Sequence, residues 1–320
     1  MKTLEGRVAL VAGATRGTGR GIAVALGEQG ATVYCSGRSV RGKLASGAGR
    51  PETIEETAER VTAAGGRGIA VACDHSDAAQ VEALAARLAA EAGRVDLLVN
   101  DIWGGEALTE FGTPFWELDL ARGKELLDRA VWTHVITSRH IAPMMRAAGR
   151  GLIVEVTDGN FFGYRGNLFY DLAKMSVIRL AFAMAHELRA HGVAALAFTP
   201  GFLRSEGMLD HFGVTEATWR DACAKEPDFV ASETPLFSGR TVAALAAEGA
   251  DARMARSGRV WSSWDVARQY DLRDVDGTRP DWGAHFAARY GALPVAGEAE
   301  YATWFRGPIE LVVAKGAEGA

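Results

Sequence analysis

The sequence predicts a doubly wound α/β protein, in which a parallel β-sheet lies between two layers of helices. Over the first two hundred residues, short β-branched runs alternate with longer runs rich in Ala, Leu and Glu, which is typical of βαβ units. The short runs are apolar on both faces, as expected when helices cover both sides of a sheet. Ligands of such sheets bind beyond the carboxyl ends of the strands. The loops that follow the strands are therefore the predicted site.

The elements follow one another in a regular order. Predicted strands cover residues 8–12, 32–35, 68–73, 96–100, 152–157 and 193–199, with a candidate last strand at 258–262. Predicted helices cover residues 19–29, 52–64, 77–92, 117–148, 170–190 and 234–248. Asp77 is a suitable N-cap for the third helix. Strands separated by helices predict right-handed crossovers and a parallel sheet.

We expect one domain over residues 1–320, with its core at about 5–262. Residues 39–50 are rich in Gly, Arg and Ser and are interpreted as a surface insertion. Residues 205–232 are polar and aromatic, and they occupy the place of a lid over a substrate. Residues 263–320 form a C-terminal extension, and the sequence does not define the structure of its part beyond residue 271.

Composition excludes several classes of protein. The chain is 48% hydrophobic and 23% charged, which is typical of a soluble globular protein. Its net charge of −5 argues against a surface for nucleic acid or anionic membranes. The cysteines, Cys35, Cys73 and Cys223, are spaced for neither zinc nor a disulfide framework, so we expect ordinary thiols and no metal. The N-terminus is unlike a signal peptide, and no uncharged apolar run could cross a bilayer. We therefore expect a cytoplasmic protein.

The loop after the first strand carries the segment Gly13-Ala14-Thr15-Arg16-Gly17-Thr18-Gly19. Its glycines allow a tight turn, a close approach of backbone to a pyrophosphate, and close packing of the helix on the sheet. The helix N-terminus would present N–H groups and a positive dipole end to the anion. The alternative is a glycine-rich turn without a ligand. Because this turn opens a helix directly after the first strand, we predict nucleotide binding.

This arrangement resembles the short-chain dehydrogenase/reductase family, which has a Rossmann fold and the loop pattern Thr-Gly-x-x-x-Gly-x-Gly. Ala12 stands where the family has Thr, whose role there is mainly structural. The resemblance spans about residues 5–260. It implies an oxidoreductase that uses a nicotinamide cofactor on a small molecule and forms a homo-oligomer, either a dimer or a tetramer. The loop residues expected to bind the cofactor are Gly13, Thr15, Arg16, Gly17, Thr18 and Gly19.

The end of the second strand bears on the choice of cofactor. NAD enzymes usually place an acid there, which binds the adenosine ribose, but the segment Tyr34-Cys35-Ser36-Gly37-Arg38-Ser39 has none. Arg38 can instead pair with a 2′-phosphate, and Arg16 can reach the same group. The alternative is that either arginine is a solvated surface charge. We predict NADP(H) in preference to NAD(H).

Tyr170-Asp171-Leu172-Ala173-Lys174 fits the Tyr-x-x-x-Lys pattern of the family. The spacing places both side chains on one face of a helix, one turn apart. A free tyrosine has a pKa of about 10, and a nearby ammonium lowers it by favouring the phenolate. We therefore expect Tyr170 to act as acid and base. Lys174 would lower the pKa of Tyr170 and hydrogen-bond the nicotinamide ribose.

The resemblance implies further cofactor contacts at the ends of other strands. Asp74 matches an acid that binds the adenine amino group, although it could simply begin the next turn. Asn100 matches the first Asn of the family's Asn-Asn-Ala-Gly, whereas Asp101 and Trp103 do not match. Pro200 and Gly201, with Ser205, resemble Pro-Gly-x-x-x-Thr, which contacts the carboxamide. The alternative there is a Pro-Gly turn that ends a strand.

The pattern breaks at the position of the family's substrate-binding Ser. Counting along the fifth strand places it at Asp158, whereas counting back from Tyr170 places it at Thr157. An ionised Asp158 would repel a phenolate at Tyr170. Three resolutions stay open: Asp158 is protonated and donates, it pairs with a cationic substrate, or it turns away and leaves Thr157 to orient the carbonyl. The Asn of the family's proton relay is also missing, and His134 either replaces it or is a packed helix residue.

Aromatic side chains are expected to line the pocket, which favours an apolar or aromatic substrate. Those near the strand ends are Phe161, Phe162, Tyr164, Phe169, Trp103 and Phe202, and those expected at the lid are Trp219, Phe229 and Phe237. Ordinary core packing is the alternative for many of them. The leading hypothesis is an NADP(H)-dependent ketone reductase or alcohol dehydrogenase. The others are a nucleotide-sensing or scaffold protein, and an epimerase or dehydratase that uses Asp158.

Overall fold

The computed structural model describes residues 2–44, 50–160, 163–292, 295–297 and 299–301. Its strands are β1 (Val8–Ala12), β2 (Thr32–Gly37), β3 (Arg67–Ala72), β4 (Leu97–Asn100), β5 (Gly151–Val156), β6 (Val193–Thr199) and β7 (Val260–Ser262). Within the described residues they form one parallel sheet in the order β3-β2-β1-β4-β5-β6-β7. This confirms the predicted fold class. The strand order reverses between β1 and β4, where ligands bind in sheets of this kind.

Helices cover both faces of the sheet. They are α1 (Gly17–Glu28), α2 (Ile54–Ala63), α3 (Ala78–Ala92), α4 (Leu120–Leu127), α5 (Thr133–Ala148), α6 (Leu168–Leu188), α7 (Glu206–Phe212), α8 (Pro235–Ala247), α9 (Ala250–Arg256), α10 (Ser263–Tyr270) and α11 (Trp282–Tyr290). Apolar residues of α1, α2, α8 and α10 fill one core, and those of α3, α5 and α6 fill the other. The sheet is thus buried on both sides, as its apolar strands predicted.

The helix predicted over residues 117–148 begins later and is interrupted. Asp119 caps α4 by accepting the N–H groups of Ala121 and Arg122. A single π-helical turn, Asp128–Trp132, then separates α4 from α5. Turns of this kind arise from tertiary packing and are frequent beside functional sites. The sequence-based expectation for Asp77 is met, because its side chain caps α3.

Helices α1 and α8 pack through glycines. A Cβ atom built on Gly239 would lie 2.2 Å from the backbone oxygen of Gly21, and one built on Gly21 would lie 1.9 Å from the oxygen of Pro235. Both contacts are with backbone, so a side-chain rotation cannot relieve them. This close approach fixes α1, and with it the glycine loop that precedes the helix.

Gly239→Ala is expected to destabilise the fold by about 2 kcal/mol. Alanine would favour the helix by about 1 kcal/mol, but overpacking against backbone costs about 1–3 kcal/mol or more, so the clash decides the sign. Urea unfolding followed by circular dichroism measures the change. The matched control is Gly207→Ala on exposed α7, where the nearest atom lies 4.0 Å from the added Cβ. Equal midpoints for Gly239→Ala and the wild type would contradict the prediction.

The predicted lid, residues 205–232, consists of α7 and two 3-10 helices, Trp219–Ala224 and Pro227–Ala231. Arg204 anchors it. Its fully buried guanidinium donates to the Ser232 carbonyl at 2.7 Å, lies 3.2 Å from the Asp274 carboxylate and stacks on Trp219 at 4.2 Å. Because Asp274 belongs to the C-terminal extension, this contact joins the extension to the lid.

The remaining expectations concern the cysteines, the predicted insertion, the C-terminal extension and membrane-spanning helices. Cys35 and Cys73 are buried and Cys223 is half-buried, and each is a free thiol. Of the predicted insertion, residues 45–49 lie outside the described part of the chain, as do residues 302–320 of the extension. Among the described helices, none is both long and apolar enough to pass through a bilayer.

Candidate active site

The glycine loop connects β1 to α1 and lies against the loop after β4. Gly13 has a φ of +89°, and a Cβ built on it would lie 2.2 Å from the Asp101 carbonyl oxygen. Gly19 approaches the Gly13 carbonyl so closely that a Cβ would lie 2.5 Å from its oxygen. Gly17 also needs glycine, because its φ is +57°. These three positions therefore require glycine for the compact turn that the sequence predicted.

A carboxylate of the chain itself is bound at the N-terminus of α1. The N-cap, Arg16, supplies no side-chain hydrogen bond to the helix. Instead the Gly17 N–H donates to the Glu206 carboxylate at 2.8 Å, and Arg20 lies 3.5 Å from the same carboxylate. Sequence reasoning missed Glu206, although an acid directly after Ser205 could have drawn attention to it. The loop has the N–H and charge pattern that binds anions.

Arg16 and Arg38 both lie beside the loop after β4. Arg16 is 3.6 Å from the carboxylate of Glu106. A Cβ built on Gly104, two residues earlier in that loop, would lie 3.4 Å from the Arg38 guanidinium. Arg38 is also 4.0 Å from Asp74, and both side chains are more than a third exposed. Two partly exposed arginines therefore lie beside the loop after β4.

Asp74 begins the next turn, which is one of the two roles expected of it. Its Oδ1 accepts the backbone N–H of Ser76 at 3.0 Å and the hydroxyl of the same residue at 2.7 Å. This is a local turn of the kind that Asp favours. A role toward the adenine stays a prediction.

The Asn100 amide makes its hydrogen bonds inside the protein. Asn100 is fully buried, and its amide donates to Ser138 Oγ at 2.9 Å and to Glu155 Oε1 at 2.7 Å. The side chain therefore joins β4 to α5 and β5 in the interior, and the predicted contact of Asn100 with the cofactor stays a prediction. Glu155 also bonds His134 Nδ1 at 2.6 Å, and His134 Nε2 lies 3.0 Å from the Ile102 carbonyl. Of the two expectations for His134, the structure shows the packed residue.

Tyr170 lies in the first turn of α6, where its hydroxyl donates to Asp158 Oδ2 at 2.8 Å. Arg165 Nη1 lies 3.0 Å from the other oxygen of the same carboxylate. Asp158 therefore accepts from a phenol and a guanidinium at once. This differs from the three arrangements considered from the sequence. Asp158 accepts from Tyr170 rather than donating, it pairs with Arg165 rather than with a cationic substrate, and it has not turned away. Arg165 was missed, although it is a basic residue between two expected site residues.

Thr157 does not present its hydroxyl to the site. It is buried, and its Oγ1 donates to the backbone carbonyl of Lys174 at 2.7 Å. This bond joins the end of β5 to α6 and so positions the helix that carries Tyr170. Asp158, which the count along the strand selected, is therefore the one of the two that contacts the Tyr170 hydroxyl, and its match to the family's Ser stays a prediction.

The pKa of Tyr170 shifts in the direction opposite to the lowering expected from Lys174. Burial raises the pKa of the Tyr170 phenol, and the charge of Asp158 and its hydrogen bond raise it further, while Arg165 opposes them. The pKa therefore lies above its ordinary value rather than below it. The physical reasons are the burial of the phenol itself and then the carboxylate of Asp158, which contacts it where the family has a neutral hydroxyl.

Lys174 and Asp101 affect each other's pKa through their charges. Burial lowers the pKa of Lys174, and the charges of Asp158 and Asp101 oppose that effect. Burial raises the pKa of Asp101 to about 7, although the charge of Lys174 and the N–H of Gly19 lower it. Lys174 Nζ lies over the Trp103 ring at 4.2 Å. Asp101 departs from the family's pattern in the sequence, and in the structure it accepts the N–H of Gly19 in the glycine loop.

The turn after β6 faces the lid. The N–H of Gly201 donates to Ser263 Oγ at 3.2 Å, directly after Pro200, and Ser205 caps α7 by accepting the Met208 N–H. Burial raises the pKa of Glu233, which lies behind this turn, to about 7, although two serine hydroxyls bond it. The predicted carboxamide contacts of Pro200, Gly201 and Ser205 stay predictions.

Some of the aromatic residues surround Tyr170, others form the core of the predicted lid, and the rest lie elsewhere or outside the described residues. Trp103 and Phe111 each pack edge-on against Tyr170 at 5.5 Å, and Phe169 packs in the small core beside α4. Phe202 instead joins Trp219 and Phe229 in the core of the lid. The remaining members are Tyr164, which is exposed, Phe237, which is buried in α8, and Phe161 and Phe162, which lie outside the described residues. Phe111 was missed by the sequence analysis.

The fold, with its glycine loop at the switch point of a parallel sheet, is that of dinucleotide-binding α/β proteins. A family model described as short chain dehydrogenase matches residues 7–212. Dehydrogenase/reductase SDR family member 1 of Mus musculus is 36% identical over 279 residues, which cover 86% of this chain and 85% of that protein. The Homo sapiens protein of the same name is 34% identical over 279 residues, with the same coverage. The chain therefore belongs to the short-chain dehydrogenase/reductase family of oxidoreductases.

Solved structures agree with this assignment. A metagenomic short-chain oxidoreductase in complex with NADP is 26% identical, with a TM-score of 0.59, and the match covers 78% of this chain and 94% of that one. A putative NAD(P)-dependent gluconate 5-dehydrogenase from Beutenbergia cavernae, with bound NADP at low occupancy, is 27% identical with a TM-score of 0.63. That match covers 84% of this chain and 100% of that one.

Proposed function

We propose that this chain is an NADP(H)-dependent oxidoreductase that interconverts a carbonyl and an alcohol on a small, apolar or aromatic substrate. The observation that carries the proposal is that the side chains of Tyr170 and Lys174 both lie against the Trp103 ring. The Tyr170 ring lies 5.5 Å from it and the Lys174 ammonium 4.2 Å. Trp103 follows Asp101, against which the glycine loop packs. The acid/base pair and the anion-binding loop therefore meet at one edge of the sheet.

The residues present fit a nicotinamide dinucleotide. The glycine loop has positive-φ backbone, and its Gly17 N–H bonds the Glu206 carboxylate, so this N–H is oriented toward an anionic group. A pyrophosphate bound there would take the place of the Glu206 carboxylate. Lys174 is placed to hold the ribose beside the nicotinamide. When bound, the cofactor supplies or takes up the hydride. Tyr170 then supplies or takes up the proton at the substrate oxygen.

The choice of NADP(H) rests on Arg16 and Arg38. Both lie beside the loop after β4, and β2 ends without an acid that could bind ribose hydroxyls. A guanidinium fork suits the oxygens of a 2′-phosphate. The two related structures named above were solved with NADP, which agrees with this choice. A cytoplasmic location, a homo-oligomeric state and a single domain over residues 1–320 stay predictions from the sequence.

The test combines binding and turnover. We expect NADPH to bind the purified protein more tightly than NADH, as measured by calorimetry. We also expect the absorbance of the reduced nicotinamide to fall when aromatic or aliphatic ketones are added. Binding without turnover across the panel would favour a nucleotide-sensing protein. Absence of binding by either cofactor would refute the proposal.

A further inference from the structure

Asp158 contacts both Tyr170 and Arg165, and its own side chain reaches the surface. The phenol donates to Asp158 Oδ2 at 2.8 Å, and Arg165 Nη1 lies 3.0 Å from Oδ1. The Asp158 side chain is 42% exposed, whereas the Arg165 side chain is 15% exposed. A proton that reaches Asp158 can therefore exchange with water directly.

On the other side of the site, His134 does not offer such a route. His134, on α5, lies below the loop after β4, but both of its ring nitrogens are already engaged. Nδ1 lies 2.6 Å from Glu155, and Nε2 lies 3.0 Å from the Ile102 carbonyl. Both His134 and Glu155 are buried, so neither exchanges protons readily with solvent.

We propose that Asp158 is the proton partner of Tyr170, and that it carries the reaction's proton between the phenol and solvent. The proposal rests on the proposed function and deepens it, because it assigns the proton route of that reaction. Oxidation of an alcohol removes one hydride and one proton, and the cofactor takes the hydride. Tyr170 accepts the hydroxyl proton as its own phenolic proton passes to Asp158 Oδ2, and Asp158 releases that proton to water. Reduction runs in the opposite order.

Arg165 is the positioning residue of this route. Its backbone N–H donates to Asp171 Oδ1 at 3.0 Å, which ties it to the helix that carries Tyr170. Its guanidinium lies over Gly159, where a Cβ would meet Nη2 at 1.2 Å. Glycine at position 159 therefore lets the cation reach Asp158, and the cation fixes the carboxylate in front of the phenol.

The charged groups that face Tyr170 come from four parts of the chain. They are Asp158 after β5, Arg165 before α6, Glu106 in the loop after β4 and Lys174 on α6 itself. Asp158 is the one among these that hydrogen-bonds the phenol. Its removal is therefore expected to change the titration of Tyr170 more than removal of any other nearby acid.

The first experiment needs no cofactor. Tyrosinate absorbance is titrated in the wild type and in Asp158→Asn, each with and without Tyr170→Phe, so that the difference reports Tyr170 alone. We expect the Tyr170 transition to occur at least one pH unit lower in Asp158→Asn than in the wild type. The matched control is Glu110→Gln, which removes an acid that pairs with Arg122 and does not bond Tyr170. An Asp158→Asn shift no larger than that of the control would overturn the proposal.

The second experiment reads the proton route itself. Asp158→Ala is expected to lower kcat at least tenfold, and added formate is expected to restore part of it saturably, because a small carboxylate can enter the vacated, half-exposed position. Circular dichroism checks that the variant is folded. Unchanged or increased kcat would overturn the proposal, and so would a lowered kcat without rescue. A protein that turns over no carbonyl or alcohol would refute the proposed function, whereas the titration would still show whether Asp158 controls the Tyr170 proton.

Discussion

Replacing Tyr170 by phenylalanine is expected to lower kcat by roughly 10²- to 10⁴-fold, the range over which a positioned acid or base contributes. The change removes one hydroxyl and keeps the ring that packs against Trp103 and Phe111. Lys174 keeps its place over Trp103, so cofactor affinity is expected to stay within about twofold. The measurements are steady-state turnover of the best ketone and calorimetric binding of NADPH.

The control for this variant is Tyr270→Phe. Tyr270 ends α10, and its hydroxyl bonds Glu248, away from the carboxyl ends of the central strands. The control is expected to keep wild-type turnover. If Tyr170→Phe kept more than a tenth of wild-type kcat while circular dichroism stayed unchanged, Tyr170 would not be the acid and base. The epimerase or dehydratase hypothesis, in which Asp158 acts directly, would then be the one to pursue.

The regular elements could be predicted because each has a local cause. The bounds of β1 and β6 match the prediction residue for residue, since continuous apolar runs end at a glycine or a proline. The π-helical turn at Asp128–Trp132 could not be predicted in this way. It depends on how α4 and α5 pack, and nothing in the local pattern distinguishes it from one continuous helix.

The sequence predicted where the candidate site residues lie along the chain, but not which of their side chains contact one another. The motif spacing predicted that Tyr170 and Lys174 lie on one helix, as they do in α6, and the count along the strand selected Asp158, which contacts the Tyr170 hydroxyl. That Arg165 pairs with Asp158 depends on the path of the loop between them, and loops carry little local signal of their path. The burial of Asn100 was missed for a related reason. Its partners Ser138 and Glu155 lie 38 and 55 residues away in the sequence.

Arg38→Ala is expected to weaken NADPH binding by roughly 10- to 100-fold while changing NADH binding by less than about twofold. A hydrogen bond to a charged group contributes about 1.5–3 kcal/mol, and each 1.4 kcal/mol is about tenfold in affinity. Only NADPH carries the 2′-phosphate, so the loss is specific to it. Calorimetric titration of both cofactors measures the ratio of the NADPH affinity to the NADH affinity.

Arg16→Ala is expected to act in the same direction, but less strongly, because Arg16 also pairs with Glu106.

The matched control is Arg41→Ala. Arg41 lies three residues beyond Arg38, is exposed, and pairs with Glu59 at 2.6 Å. Its loss changes the net charge by the same amount, so a general electrostatic effect would appear in both variants. The double variant of Arg16 and Arg38 is expected to lose less than the product of the single effects, because two arginines on one phosphate are coupled. Equal losses for NADPH and NADH in Arg38→Ala would place Arg38 outside the 2′-phosphate site, and the cofactor preference would then need another cause.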